Sequence, residues 1–165
     1  MSRAVALVST PASAPAIVGR WLVVDDSPSD RRLMEEALIE ADVERHDVVS
    51  VGSIGAARQV ILADDIAGVL LDLSLPDASG LEGVAVLSAM LPDAPLVVVT
   101  AHPADSLVYA ALAQGADEYV NKGDLEISAL RDVLIRAQGR RIGQRRRPGA
   151  PSGRALDKLA TPAVT

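Results

Sequence analysis

The sequence predicts an α/β fold, an open doubly wound sheet of five parallel strands flanked by five helices, and three observations carry that prediction. Five short apolar runs alternate with five segments of helical periodicity, an order that suits parallel strands joined by right-handed helical crossovers. The runs at 66–71 and 96–99 are almost wholly apolar, as strands covered on both faces are. Polar side chains then collect just after the runs, where ligands bind in such sheets.

The elements follow in order. Residues 21–24 form the first strand. Ser27 suits a helix N-cap and Pro28 its first turn, and Leu33, Met34, Ala37, Leu38 and Ala41 recur at helical spacing, with Arg31, Arg32, Glu35, Glu36 and Glu40 on the other face. Residues 48–51 are the second strand, entered past His46, and 56–63 the second helix. The third strand, 66–71, ends at Asp72. Pro76, Asp77 and Gly80 shape a loop into a helix marked by Val84, Leu87 and Leu91 and ended by Pro92. Residues 96–99 are the fourth strand, and a helix over about 105–114 stops at Gly115. A short strand at 118–120 precedes an amphipathic helix beginning near Asp124, with Ile127, Leu130, Val133, Leu134 and Ala137 on its apolar face.

Composition narrows the classes. A chain of 165 residues that is 49% hydrophobic suits one well-buried domain with flanking tails. With no Phe, one Trp and two Tyr, aliphatic side chains must pack the core. The absence of Cys excludes disulfides, thiolate metal sites and a cysteine nucleophile, and suits a cytoplasmic protein. The apolar stretch at 4–8 is shorter than the roughly 7 to 15 residues of a signal core. Residues 1–19 are therefore expected to be a disordered leader and 20–138 the folded domain. The net charge of −6 divides unevenly: residues 1–138 hold 9 Lys and Arg against 21 Asp and Glu, giving −12, and residues 139–165 hold 7 against 1, giving +6. That basic tail, broken by Pro148, Gly149 and Pro151 and lacking aromatics for base stacking, reads as a solvated segment, with nucleic-acid contact a minor alternative.

The strand ends carry the chemistry. Asp25 and Asp26 end the first strand, Asp72 the third and Thr100 the fourth, and Lys122 lies just past the fifth. A flavodoxin-like strand order, 2-1-3-4-5, sets the first and third strands side by side and gathers three carboxylates. Alone, Asp25 or Asp26 reads as a helix cap; with Asp72, the set calls for a cation. Oxygen donors without His or Cys favour a hard cation, and Mg2+, which also contacts phosphate, is the candidate. An ionised carboxylate can attack phosphorus while a metal and a lysine neutralise the transferring oxygens. Lys122 supplies that second charge and Thr100 a short hydroxyl donor.

Four segments in order, VVDDSPSDRRLMEEAL, LLDLSLPDASGLEGV, LVVVTA and GADEYVNKGD, resemble the receiver domains of two-component response regulators over residues 20–138. The spacing of 46 residues from Asp26 to Asp72, 28 more to Thr100 and 22 more to Lys122 is part of the match. The resemblance, to stand-alone receivers of the chemotaxis-regulator kind, implies Asp72 as phosphoacceptor. It implies Asp26 and Asp72 as direct Mg2+ ligands, Asp25 assisting through water, and the Ser74 carbonyl as a third protein ligand. Thr100 and Lys122 are then expected to hold the phosphoryl oxygens, and Thr100 with Tyr119 to form the switch. Ser74 and His102 fall where the family tunes the acyl-phosphate lifetime. A histidine kinase or histidine phosphotransfer protein becomes the expected donor and a protein effector the output, contacted through the last helix, Tyr119 and the helix at 105–114; a homodimer is a further expectation. Gly123 departs from the family pattern, which places a proline, commonly cis, after the lysine. Two other readings compete: a receiver fold that docks without phosphorylation, and an aspartyl-phosphate hydrolase of the haloacid dehalogenase kind. The latter usually has an acidic residue where this chain has Ser74.

Overall fold

The computed structural model describes residues 16–79, 81–101, 104–124 and 127–145. Five strands form a parallel sheet: β1 (Arg20–Val24), β2 (Val48–Val51), β3 (Ile66–Leu71), β6 (Leu96–Thr100) and β7 (Glu118–Asn121), in the order β2-β1-β3-β6-β7. Setting aside a small antiparallel hairpin, β4 (Ser74–Leu75) with β5 (Ala78–Ser79), this is the expected 2-1-3-4-5 order.

Alternation along the strands sorts side chains to the two faces. On one face Trp21, Val23, Leu70, Val97 and Val99 pack with Met34 and Leu38 of α1 (Pro28–Glu40) and Leu130 and Leu134 of α5 (Ile127–Arg145). On the other, Leu22, Val24, Val69, Leu71 and Val98 meet Ile54 and Ala57 of α2 (Ile54–Ala63), Val84 and Leu87 of α3 (Leu81–Met90) and Ala111 of α4 (Asp105–Ala113). The central strands are thus covered on both sides, as their unbroken apolar runs require. Trp21, wholly buried, lies across β3 opposite Gly68, where a Cβ would come within 2.5 Å of the indole. Among the described residues, no helix is long and apolar enough to cross a membrane.

Local chemistry sets the helix ends. Ser27 caps α1 by accepting from the Asp30 N–H, with Pro28 in the first turn as expected. α4 ends in a Schellman motif: the Ala116 N–H donates to the Ala111 carbonyl and the Gly115 N–H to that of Leu112, with Gly115 at φ +114°. α1 ends the same way through Asp42 at φ 74°, a left-handed position held without glycine, where the Asp42 carboxylate pairs with Arg131 of α5 at 2.9 Å.

Several boundaries differ from expectation. α2 starts at Ile54 because Ser53 caps it and the Asp77 carboxylate, from the turn of the hairpin, accepts the Ile54 and Gly55 N–H groups at 3.0 and 2.9 Å. Lys122–Asp124 form a 3-10 turn before α5. α5 continues past Gln138 to Arg145, so residues assigned to the tail are helical. Arg140 and Arg141 hold that added length to the start of β7, Arg140 on the Glu118 carboxylate and the Asp117 carbonyl, Arg141 on the Asp117 carboxylate. Ile17, assigned to the leader, is buried against the α1 and α5 face. Residues 1–15 of the leader, Gly80, His102 and residues 146–165 of the tail lie outside the described residues.

Candidate functional site

The site begins with backbone pairing that outlasts the strands. The Asp72 N–H donates to the Val24 carbonyl at 2.9 Å and the Asp25 N–H to the Val51 carbonyl at 3.1 Å, so both aspartates emerge side by side at the carboxyl edge. Asp25 and Asp72 are buried and Asp26 is exposed, yet one carboxylate oxygen from each lies within 4.8 Å of the others. Like charges this close need a counter-charge. Oxygen-only donors at this spacing fit a hard divalent cation such as Mg2+.

Lys122 provides part of that counter-charge. From the turn after β7 its Nζ donates to Asp25 Oδ2 at 2.5 Å and Asp30 Oδ2 at 2.8 Å, and stands 3.5 Å from Asp72 Oδ2. Burial works against its charge, but the bonds to Asp25 and Asp30 and the fields of Asp72 and Asp25 outweigh it and raise its pKa above the ordinary lysine value. Asp72 moves upward from 3.8: burial is the main cause and the Asp25 charge adds to it, against the lowering effects of Lys122 and of the Ser74 N–H, which donates to its carboxylate. Asp30 moves downward, chiefly through its bond to Lys122.

The structure therefore brings together Asp25, Asp26, Asp72 and Lys122, and places Ser74 beside Asp72 through its amide. Thr100, buried, ends the neighbouring strand β6, which pairs with β3 through Leu71 and Val98. Tyr119 is exposed on β7, and Tyr109 is exposed on α4. The Lys122–Gly123 linkage is trans, and among the described residues a Cβ at Gly123 would meet only the Asn121 side chain at an ordinary 3.5 Å, so the turn is built without need of a cis bond or of a left-handed φ.

Sequence reasoning missed two residues here. Asp30, in the first turn of α1, reads locally as an acid favourable to a helix N-terminus; its bond to Lys122 spans 92 positions of sequence. Arg31, placed on the charged face of the first helix, donates from Nη1 to the Asp25 and Asp26 carbonyls at 2.7 and 3.2 Å and fixes the turn that presents both carboxylates.

A doubly wound parallel sheet with an acidic triad and a lysine at its carboxyl edge belongs with the domains whose sites suit a divalent cation and a phosphoryl group. The chain belongs to the response regulator receiver domain family, which it matches over residues 21–134. It is 29% identical to the response regulator protein PilR of Pseudomonas aeruginosa over 116 residues, 70% of this chain and 25% of that protein. With a protein-glutamate methylesterase/protein-glutamine glutaminase of Anaeromyxobacter dehalogenans it shares 36% identity over 104 residues, 62% of this chain and 30% of that protein. With the nitrate/nitrite response regulator protein NarP of Escherichia coli it shares 30% over 121 residues, 73% of this chain and 56% of that protein. The chain thus spans between a quarter and just over half the length of these relatives. A receiver domain crystal structure from Clostridium thermocellum matches with a TM-score of 0.67 at 20% identity, covering 77% of this chain and 99% of that one. A response regulator from Burkholderia pseudomallei, solved with a phosphorylated aspartic acid, calcium ion and citrate, matches at 0.63 with 23% identity, covering 78% of this chain and 71% of that one. At these identities the structures establish the shared fold.

Proposed function

We propose that this chain accepts a phosphoryl group on Asp72 from a histidine kinase or histidine phosphotransfer protein and passes the signal on through protein contacts in the cytoplasm. The observation that carries this reading is the convergence of oxygens from Asp25, Asp26 and Asp72 within 4.8 Å, with Lys122 Nζ 3.5 Å from Asp72. The phosphorylated aspartic acid and divalent ion of the Burkholderia pseudomallei relative support it.

Asp72 acts as nucleophile: one carboxylate oxygen bonds to phosphorus while the bond from phosphorus to the donor atom breaks, its electron pair leaving with the donor. Asp26, Asp72 and the Ser74 carbonyl would hold Mg2+, with Asp25 assisting through water. When bound, Mg2+ supplies positive charge against the transferring oxygens. Lys122 and the Thr100 hydroxyl take the remaining phosphoryl oxygens. Thr100, drawn to the phosphoryl group, then biases Tyr119 inward, which changes the surface shared by β7, α4 and α5. The protein turns over only its own acyl phosphate and is not an enzyme toward a separate substrate. The folded unit of 20–138, with α5 carried on to Arg145, is the signalling unit.

Incubation with Mg2+ and acetyl phosphate, followed by intact-mass measurement, tests the proposal. A phosphate-sized increase in the wild type that is absent in Asp72→Asn is expected. An unmodified wild type overturns the phosphoacceptor assignment and leaves a module that docks without phosphorylation.

A further inference from the structure

Lys122 has three N–H donors, and its two shortest contacts are to carboxylates that do not attack phosphorus. Asp25 and Asp30 take hydrogen bonds at 2.5 and 2.8 Å, whereas the 3.5 Å to Asp72 is too long for a strong one. To grip a phosphoryl oxygen on Asp72, the ammonium must loosen at least one of these bonds. Asp25 is wholly buried and its other oxygen already accepts the Ser27 N–H at 2.8 Å. Asp30 is different: its side chain is 40% exposed at the rim of the site, in the first turn of α1, so water replaces a lost partner at little cost.

Charge sharpens the point. Among the described residues, three carboxylates, Asp25, Asp30 and Asp72, share Lys122, and Asp26 lies beside Asp25 and Asp72. The nearby Arg31 is turned to the Asp25 and Asp26 carbonyls. Before a cation binds, these groups sum to a negative charge even with Arg31 counted, and the incoming phosphodonor is itself an anion. Asp30 adds repulsion toward the donor and occupies the lysine that is to receive it.

We propose that Asp30 is a latch on Lys122, a positioning residue that holds the ammonium off Asp72 at rest and slows phosphoryl transfer until the phosphoryl group displaces it. The inference rests on Asp72 being the phosphoacceptor. In the transfer step the Asp72 oxygen bonds to phosphorus, the donor leaves with its electron pair, and Lys122 keeps all three protons and only exchanges the Asp30 oxygen for a phosphoryl oxygen.

The test is the rate of acetyl phosphate labelling of the full chain, read by intact mass at saturating Mg2+. Asp30→Asn, which keeps size but removes the charge, is expected to label about fivefold faster, the effect of about 1 kcal/mol on a barrier. Asp30→Glu is expected to restore the wild-type rate. Added KCl is expected to speed the wild type, by screening the repulsion, more than it speeds Asp30→Asn. A merely structural role at the start of α1 would alter thermal unfolding but neither the rate nor its salt dependence. Equal or slower labelling of folded Asp30→Asn, beside a wild type that does label, overturns the latch and spares the phosphoacceptor reading. A wild type that does not label overturns that reading itself.

Discussion

The two edges of the central sheet use the same side-chain chemistry to opposite ends. At the amino edge Asp117 Oδ2 accepts the Leu96 N–H at 2.8 Å and the Arg141 guanidinium at 2.8 and 3.0 Å, and Arg141 also donates to the Pro92 and Gly115 carbonyls. One carboxylate meets one cation, and the guanidinium fork is matched to acceptors just past α3 and α4 and just before β7. At the carboxyl edge several carboxylates contend for one ammonium. A closed, balanced pair fastens elements together. An acidic surplus leaves capacity for a further cation, and that surplus marks the edge where chemistry is expected.

Breaking the balanced pair gives the largest expected loss of stability. Asp117→Ala leaves Arg141 and the Leu96 N–H without their acceptor and is expected to cost about 3 kcal/mol in urea unfolding. The surplus edge is expected to respond in the opposite direction. The folded-state pKa of Asp72 is raised, so the fold binds its proton more tightly than the unfolded chain does, and stability falls as pH rises through the window above 3.8. At neutral pH in EDTA, Asp72→Asn is expected to unfold at higher urea than the wild type. Mg2+ at a hundred times its Kd is expected to stabilise the wild type by about 2.7 kcal/mol and to do little for the variant. A variant less stable than wild type in EDTA would remove the contrast between the edges.

The smallest effect belongs to Asp77, a carboxylate of the carboxyl edge that is closed like Asp117. Its acceptance of the Gly55 and then the Ile54 N–H lowers its pKa from 3.8, so its contribution is present above 3.8 and is lost as pH falls through the lower folded value. Asp77→Ala is expected to lower the urea midpoint modestly at pH 7, with the gap from wild type closing in strong acid.

The gathering of Asp25, Asp26, Asp72 and Lys122 at one edge was legible because strand ends in a parallel sheet are read from apolar runs, whereas the 2-1-3-4-5 order, one of two common in such sheets, was taken from likeness to flavodoxin-like folds and not from the runs themselves. What stayed hidden depends on long side chains reaching across the fold. The Asp30 bond to Lys122 and the Asp77 cap on α2 link residues 92 and 22 or more positions apart and leave no periodic trace. The hairpin at Ser74–Leu75 and Ala78–Ser79 is too short for alternation to show. α5 runs on past Gln138, where the apolar periodicity stops, because Arg140 and Arg141 find acceptors on Asp117 and Glu118.

The indole lodged over Gly68 equips the molecule with a built-in optical separation. Trp21 is the chain's single tryptophan and is wholly shielded from solvent, so its emission follows the state of the interior alone. The two tyrosines, Tyr109 and Tyr119, both stand in solvent on neighbouring elements of the opposite flank. Emission excited at the red edge, where tryptophan alone absorbs, set beside emission excited where both absorb, therefore distinguishes an event on that outer flank from loosening of the whole domain, with no label attached.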